Sequence, residues 1–157
     1  MSQVHHASCV EFEGIGILVR GPAGAGKSDL SLRLIDAGAT LVADDRVVLE
    51  ARDGRLMARA PEGLAGLLEI RGLGIVTYPH CTATAVGFVV DLAGREGVAR
   101  LPLAADTVID GVALPAFRLA PFEPSAVAKL RVAAKLAAGR LLPVEAALGH
   151  RLAQRSA

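Results

Sequence analysis

The sequence predicts an α/β fold, a mixed sheet with helices built around a glycine-rich loop, and an α+β arrangement is the alternative. Two patterns predict it: strand signals fill the first part of the chain, and a helix signal follows directly on the loop. A third observation is that 52% of the 157 residues are hydrophobic and 21% are charged. A chain of this length and composition buries a sizeable core, so we expect residues 1–157 to form one domain.

The elements of the first half follow from periodicity and turn residues. Two strands and a tight turn at Glu13 and Gly14 are predicted by CVEFEGIGILVRG. Residues 28–37 carry apolar side chains at helical spacing, and Gly38 ends that helix. One strand is predicted by TLVADDRVVLEA, and the DG pair that follows signals a second hairpin.

The second half predicts an irregular stretch, more strands and two helices. The irregular, glycine-rich stretch is PEGLAGLLEIRGLGIVTYP. A further strand is predicted by GFVVDL, and short strands continue to about Leu119. Residues 125–140, rich in alanine and leucine, predict a helix, and residues 144–154 predict another. Strand signals therefore dominate the chain up to the last two helices.

Composition and charge exclude several classes of partner. A net charge of +1 gives no electrostatic basis for binding nucleic acid or a membrane surface. The amino terminus lacks signal-peptide features, and no apolar stretch approaches the ~20 residues that a spanning helix needs. Cys9 and Cys81 make neither a disulfide framework nor a zinc quartet, so we expect reduced thiols and a cytoplasmic protein. Aromatic residues make up only 3%, which offers no obvious surface for stacking a nucleobase.

The glycine-rich loop fits the phosphate-binding pattern G-x-x-x-x-G-K-[ST], with a strand before it and a helix after it. Glycines allow backbone N–H groups to wrap a phosphate, and the helix adds its positive dipole end. At an exposed loop-to-helix junction, Lys27 can neutralise the β and γ oxygens and Ser28 can ligate Mg²⁺. A turn that merely enters the helix is the alternative. The expected nucleoside triphosphate or pyrophosphate site consists of Gly21, Pro22, Ala23, Gly24, Ala25, Gly26, Lys27 and Ser28.

Two adjacent acids, Asp44 and Asp45, follow the strand signal TLVA. The predicted helix carries the chain ~16 Å away from the loop, and an extended run from Thr40 to Asp45 covers ~17–20 Å back. If this run is a parallel strand, both acids end beside the loop. Their carboxylates would then suit two roles, one as a ligand for a metal-bound water and one as a general base. The alternative is that the two acids form a solvated strand end.

The first hairpin also predicts the position of a histidine. With Glu13 and Gly14 as turn residues, paired positions sum to 27, so His6 falls opposite Gly21 at the start of the loop. There it could hydrogen-bond a phosphate or a carboxylate, and a frayed terminal histidine is the equal alternative. His5 would point to the other face and have no special role.

A third set of candidate residues lies in LLEIRGLGIVTYP. Glu69 and Arg71 are two positions apart, so an extended segment presents them on the same side. One acid for a metal and one arginine for phosphate would complete a phosphoryl-transfer site. Gly72 and Gly74 indicate a bend where the backbone approaches something closely. A surface ion pair is the alternative.

Together, His6 and the segments GPAGAGKS, LVADDRV and LLEIRGLGIV resemble the catalytic domain of the HPr kinase/phosphorylase family. Order and spacing agree from His6 to about Val76, and LEIRGLGIV is a specific signature of that family. The resemblance implies a nucleotide core related to the phosphoenolpyruvate carboxykinases, in a shortened form without the usual amino-terminal domain. It implies that ATP with Mg²⁺ phosphorylates a serine of the phosphocarrier protein HPr, that phosphorolysis reverses the reaction, and that the phosphotransferase system is thereby regulated. It also implies a homo-oligomer, a hexamer in the family.

The resemblance also implies roles for individual residues. Ser28 and Glu69 take the positions of the Mg²⁺ ligands. Residues 68–77 correspond to the family's segment that both the kinase reaction and the reverse phosphorolysis require. Asp45 would accept the serine proton in the forward direction and return it in the reverse direction. The residues expected in catalysis are His6, Lys27, Asp45 and Arg71.

The carboxy-terminal third departs from the family pattern. The arginine of longer members and the helix that follows it align poorly with this sequence. Arg118 lies near the position of that arginine but does not match its spacing. Ala23 also stands where relatives commonly have serine. We therefore expect kinase activity with slower or absent phosphorolysis. A small-molecule P-loop kinase and a non-catalytic ATP-sensing module are the alternative functions, and pyrophosphate is the alternative donor.

Overall fold

A nine-stranded mixed sheet and a separate two-stranded hairpin organise the chain. The computed structural model describes residues 2–143 and 147–154. The strands and helices, in chain order, are β1 (Gln3–His5), β2 (Ser8–Phe12), β3 (Ile15–Arg20), α1 (Lys27–Asp36), β4 (Thr40–Ala43), β5 (Val47–Arg52), β6 (Arg55–Arg59), β7 (Leu67–Ile70), β8 (Gly74–Thr77), β9 (Thr84–Leu92), β10 (Asp106–Ile109), β11 (Val112–Leu119), α2 (Ala126–Ala137) and α3 (Ala147–Ala153).

The sheet is built around β9, which has three partner strands. β9 pairs in parallel with β3 and with β11, and antiparallel with β6 near its own start. Beyond β3 the order continues to β2 and β4, and beyond β6 it continues to β5 and β1. The sheet therefore curls, and the chain from β3 through α1 crosses over β2 to reach β4. Because β2 is antiparallel to both neighbours, β4 runs in the same direction as β3.

Both faces of the central strands are buried. Ile17 and Val19 of β3 join a cluster that includes Leu30 of α1 and Leu130 of α2. Leu18, between them in the chain, joins the cluster on the opposite face. Successive side chains of a strand point to opposite faces, so a strand covered on both sides is apolar at every position. This explains why IGILV carries no polar alternation. Of the ranges described, no helix is long and apolar enough to cross a membrane.

The first hairpin and the helices form as predicted. β2 and β3 pair in the register whose positions sum to 27, ending with Phe12 opposite Ile15. α1 is followed by Gly38 with a φ of 111°, the left-handed conformation that ends many helices. α2 confirms the helix expected over 125–140. α3 covers the later part of the helix expected over 144–154, and residues 144–146 lie outside the described residues.

Two segments fold differently from the prediction. TLVADDRVVLEA forms two strands instead of one, because Asp45 has a φ of 66° and redirects the chain between β4 and β5. A left-handed residue other than glycine is uncommon, and strand propensity does not indicate it. The stretch PEGLAGLLEIRGLGIVTYP was expected to be irregular, and this is wrong, because it contains the antiparallel β7–β8 hairpin.

The glycines of this second hairpin serve its turn rather than a close contact. Gly72 and Gly74 have φ values of 89° and 114°, which glycine adopts without strain. A Cβ placed on either would meet no atom of the described chain within 4 Å. Within the described chain no group approaches the backbone here, so backbone conformation accounts for both glycines, and the expected close approach stays a prediction.

Candidate active site

One cavity of about 480 Å³ collects residues from separate segments of the chain. These segments are the glycine-rich loop with the start of α1, the turn after β4, the residue after β1 and the end of β7. Gly21, Pro22 and Ala25 belong to the loop but do not line the cavity. The predicted site residues on its wall are His6, Ala23, Gly24, Gly26, Lys27, Ser28, Asp45, Glu69 and Arg71.

The glycine-rich loop closes around the side chain of Lys27. Its Nζ donates hydrogen bonds to the carbonyl oxygens of Gly21 and Pro22 at 2.7 and 3.1 Å. Lys27 is only 5% exposed, so the expectation of an exposed junction is wrong. The loop can turn this tightly because Gly24 and Gly26 have φ values of 81° and 104°. An anion in the cavity meets both the ammonium group and the positive end of α1.

Ser28 and Asp44 join the loop to the end of β4. Ser28 Oγ donates a hydrogen bond to Asp44 Oδ1 at 2.8 Å. The fully buried Ser8 of β2 donates to the same oxygen at 3.1 Å and accepts the backbone N–H of Asp45 at 3.0 Å. Both acids therefore lie beside the loop, as the strand geometry predicted, and Ser8 fixes the turn that carries them.

Asp45 and His6 form a close pair on the cavity wall. His6 Nε2 lies 2.6 Å from Asp45 Oδ1, and the two side chains are 52% and 56% exposed. Solvent screens a pair this exposed, so its contribution to folding stability is small. Its effect is geometric, because the contact orients the carboxylate and leaves its second oxygen free of this partner.

His6 reaches this position by a route that the hairpin register does not predict. The β2–β3 pairing ends before it reaches His6, so the predicted pairing of His6 with Gly21 is wrong. Instead β1 pairs with β5, with His5 opposite Val47. Because β5 begins two residues after Asp45, this pairing brings His6 beside the carboxylate. A frayed histidine is therefore also the wrong description.

The β7–β8 hairpin supplies Glu69 and Arg71. Glu69 lies in β7 and Arg71 in the turn that follows, and both are exposed on the cavity wall. Leu68, the preceding residue, is fully buried, and β7 contacts α1. Strand alternation therefore holds Leu68 inward and presents Glu69 to the cavity. The structure thus brings one acid and one arginine to the side of the cavity facing the loop.

Arg118, the arginine nearest to the family position, does not reach this site. It lies in β11, outside the cavity wall, and its Nη1 donates to the carbonyl oxygen of Gly97 at 3.4 Å. Four residues that the sequence did not single out do belong to the site or support it: Ser8, Asp29, Leu32 and Phe122. Ser8 gives a weak signal, a hydroxyl within an apolar strand. Phe122 gives no sequence signal, because the loop that carries it is far from the glycine-rich loop in the sequence.

The oxygen donors of the cavity suit magnesium bound together with phosphates. The hard donors are the Ser28 hydroxyl and the carboxylates of Asp44, Asp45 and Glu69. Among the residues that the structure describes, no three His, Cys, Asp or Glu side chains are grouped closely enough to hold a metal alone. Mg²⁺ keeps several waters and commonly uses one or two carboxylates plus substrate phosphates. The donor set therefore fits Mg²⁺ delivered with a nucleotide.

Three side chains outside this cavity have shifted pKa values. Burial raises the pKa of the Cys9 thiol far above its ordinary range. Burial and the Glu11 carboxylate raise the pKa of Cys81, and both thiols are free, as expected. A hydrogen bond from Lys129 lowers the pKa of Glu123. The buried Cys9 is consequently a packing residue and not a nucleophile.

Comparison with known proteins adds an independent finding. Residues 1–82 match the family model described as HPr serine kinase C-terminal domain. The chain is 48% identical over 71 residues to an HPr kinase/phosphorylase of Clostridium beijerinckii, which is 45% of this chain and 24% of that protein. It is 46% identical over 72 residues to an HPr kinase/phosphorylase of Limosilactobacillus reuteri, 45% of this chain and 22% of that protein. The chain thus spans about a quarter of the length of the curated relatives it matches.

A solved structure extends the likeness beyond the matched segment. The HPr(Ser) kinase/phosphatase from Coxiella burnetii superposes with a TM-score of 0.74 at 28% identity. The superposition covers 83% of this chain and 93% of that chain. The mixed α/β arrangement with its curled sheet is therefore shared well beyond residue 82.

Proposed function

Because the chain belongs to the HPr serine kinase C-terminal domain family, we propose that it is a protein serine kinase that transfers a phosphoryl group from ATP to HPr. The observation that carries this proposal is that the glycine-rich loop and the His6–Asp45 pair line one cavity. A site that holds phosphates and a carboxylate that takes a hydroxyl proton are the two parts that this transfer requires.

The glycine-rich loop is proposed to hold the β and γ phosphates of ATP. In this proposal β3, the loop and α1 form a P-loop nucleotide core of the phosphoenolpyruvate carboxykinase type. Lys27 Nζ, now bonded to two carbonyl oxygens, would turn toward the phosphate oxygens. Hydrogen bonds to a charged acceptor are roughly twice as strong as those to a neutral one, so the exchange favours phosphate binding.

Asp45 is proposed as the general base. The serine hydroxyl oxygen attacks the γ phosphorus, Asp45 takes the hydroxyl proton, and the bond to the ADP oxygen breaks. His6 holds the carboxylate in place through the 2.6 Å contact, and Ser8 fixes the backbone of the same turn. In the reverse direction an oxygen of inorganic phosphate attacks the phosphorus of phosphoserine, the bond from phosphorus to the serine oxygen breaks, Asp45 returns the proton to that oxygen, and pyrophosphate leaves.

The metal site is proposed to form only with the nucleotide. When bound, Mg²⁺ neutralises charge on the phosphate oxygens. Ser28 and Glu69 are the proposed ligands. Asp44, which accepts the hydrogen bond of Ser28 at 2.8 Å, is proposed to hold a water of the same ion.

Reverse phosphorolysis is proposed to be the slower direction. It requires a free phosphate to bind as an attacking anion beside a phosphoserine, which demands extra positive charge. Arg71 and His6 supply only part of that charge on the cavity wall, and Arg118 lies elsewhere. A homo-oligomer and a cytoplasmic location remain predictions from the family resemblance and from cysteine usage.

The test is to incubate the chain with purified HPr, Mg²⁺ and ATP, and to map the phosphosite by mass spectrometry. One phosphoryl group on an HPr serine supports the proposal. Nucleotide turnover that leaves HPr unmodified would indicate the small-molecule kinase instead. Nucleotide binding without any turnover would indicate the ATP-sensing module.

A further inference from the structure

A second cavity, of about 540 Å³, lies next to the candidate active site. Its wall is formed by two loops, residues 93–95 after β9 and residues 120–125 between β11 and α2. Phe122 lines both this cavity and the active-site cavity, so the two adjoin at its ring. A volume of this size is typical of a site for a small organic molecule, which takes ~300–1,000 Å³.

Phe122 is an unusual residue for this chain. It is one of four phenylalanines, all in the described ranges, and it is 70% exposed. Phe12 and Phe88 are buried in the core, and Phe117 stacks on Phe88. An aromatic ring that the core does not use is thus presented at the junction of two cavities.

The ring of Phe122 lies directly against the glycine-rich loop. A Cβ placed on Gly26 would come within 2.8 Å of its Cζ. Whatever the loop holds by its phosphates is therefore adjacent to this aromatic ring. Planar nucleobases stack on such faces, and stacking tolerates any base because every base has a π face.

The loop that carries Phe122 is held from both sides. Arg33 of α1 donates a hydrogen bond to the carbonyl oxygen of Pro121. Glu123 forms ion pairs with Arg95 and Lys129, each at 2.9 Å, and so links the loop to the opposite wall and to α2. The segment that carries the ring is consequently held beside α1 before any ligand binds, which lowers the ordering cost of binding there.

We propose that this second cavity receives the nucleobase of the phosphoryl donor, stacked on Phe122. The inference rests on the proposed function, because the phosphates must lie in the glycine-rich loop for the base to reach the ring. It assigns the donor to the nucleoside triphosphates, since pyrophosphate has no group to fill this cavity. It also supplies the stacking surface that the low aromatic content did not reveal.

The experiment compares two ligands that share phosphates and differ in the base. Isothermal titration calorimetry measures the affinity of the chain for Mg-ATP and for Mg-tripolyphosphate, for the wild type and for Phe122→Leu. Leucine keeps an apolar side chain and removes the π face. We expect Phe122→Leu to weaken ATP binding by about 5- to 150-fold, the range seen when a stacking aromatic is lost. Tripolyphosphate affinity should stay within about twofold of wild type, because no base is involved.

Two further variants make the result interpretable. Phe122→Tyr keeps the ring and should keep ATP affinity. Leu101→Ala, at a position that is 75% exposed and outside both cavities, controls for loss of an exposed apolar side chain. Equal ATP affinity in wild type and Phe122→Leu, with tripolyphosphate bound normally, would overturn this inference and leave the kinase proposal standing. Failure of the wild type to bind either ligand would overturn both.

Discussion

His6 Nε2 lies 2.6 Å from Asp45 Oδ1, although 38 positions separate the two residues in the chain. The pairing of β1 with β5 creates this contact, because β1 ends at His5 and β5 begins at Val47. The general base of the proposed reaction is therefore positioned by sheet pairing and by Ser8, whereas the hydrogen bond from the phosphate-binding loop goes to the neighbouring Asp44. Loop and base can consequently be tested separately.

Replacing Asp45 with asparagine should remove the proton acceptor and leave the nucleotide site intact. We expect Asp45→Asn to lower the transfer rate by about 10²- to 10⁴-fold, with ATP affinity almost unchanged. Steady-state phosphorylation of HPr and calorimetric ATP binding measure the two quantities. Asp53→Asn is the matched control, because Asp53 also has a left-handed φ, 52°, in the exposed turn between β5 and β6. Full activity in Asp45→Asn would rule out the base role.

Replacing Lys27 should weaken transfer more than it disturbs folding. Lys27→Met keeps the length of the buried stem and removes the ammonium, so we expect a loss of about 10²-fold or more in rate. Thermal unfolding followed by circular dichroism checks the fold. Lys135→Met, on α2 and outside the cavity, controls for the loss of one positive charge. Wild-type turnover in a folded Lys27→Met variant would contradict the assignment of the loop.

Replacing Glu69 should change the response to magnesium. Glu69→Gln removes one negative charge beside the proposed ion, so the Mg²⁺ concentration for half-maximal activity should rise about fivefold or more, with the maximal rate retained. A metal titration of activity measures the shift. Glu62→Gln, exposed before β7 and outside the cavity wall, should leave the titration unchanged. An unshifted midpoint in Glu69→Gln would place the ion elsewhere.

Replacing Ser8 should separate positioning from general stability. Ser8→Ala removes the hydroxyl that bonds Asp44 and the Asp45 backbone, so we expect the free energy of unfolding to fall by about 1–3 kcal/mol. The transfer rate should fall as well, while ATP affinity is kept. Ser31→Ala is the stability control, because Ser31 is equally buried and its hydroxyl bonds the Lys27 carbonyl oxygen. Equal rates in the two variants would show that Ser8 has a purely structural role.

The two thiols should differ in how fast they are alkylated in the folded chain. A raised pKa leaves less thiolate at a given pH, so Cys9 should resist iodoacetamide in the folded chain at pH 8 and Cys81 should react slowly. Glu11→Gln removes a negative charge beside Cys81, lowers its pKa and should speed its alkylation. Mass spectrometry of timed samples measures both sites, and alkylation in denaturant is the reference. A Cys81 rate that falls in Glu11→Gln would contradict this electrostatic account.

The parts of the fold that depend on local signals were predictable. Glu13 and Gly14 define the first turn, and the turn alone sets the register of β2 and β3. The loop, α1 and the place of Asp45 follow from one strand–helix–strand connection. The β7–β8 hairpin was missed because its turn lies within a glycine-rich segment that propensity describes as irregular.

The parts of the site that depend on distant pairing were not predictable. The register of the first hairpin predicts the right cavity for His6, but the β2–β3 pairing does not extend to this residue. Its position comes from the pairing of β1 with β5. Phe122 reaches the loop from the segment after β11, where the Pro121 carbonyl oxygen accepts a hydrogen bond from Arg33 of α1. Neither contact can be inferred from the residues that lie near it in the sequence.

Gly26 is constrained twice, by its φ of 104° and by the Phe122 ring within 2.8 Å of any Cβ it might carry. A smaller residue at position 122 would relieve only the steric conflict, because the left-handed backbone would still penalise a side chain at 26. Compensating substitutions at the two positions are therefore not available. Phe122 can be replaced while Gly26 is kept, but Gly26 cannot be replaced before Phe122. Among descendants of this sequence, position 26 should therefore stay glycine even where position 122 has changed.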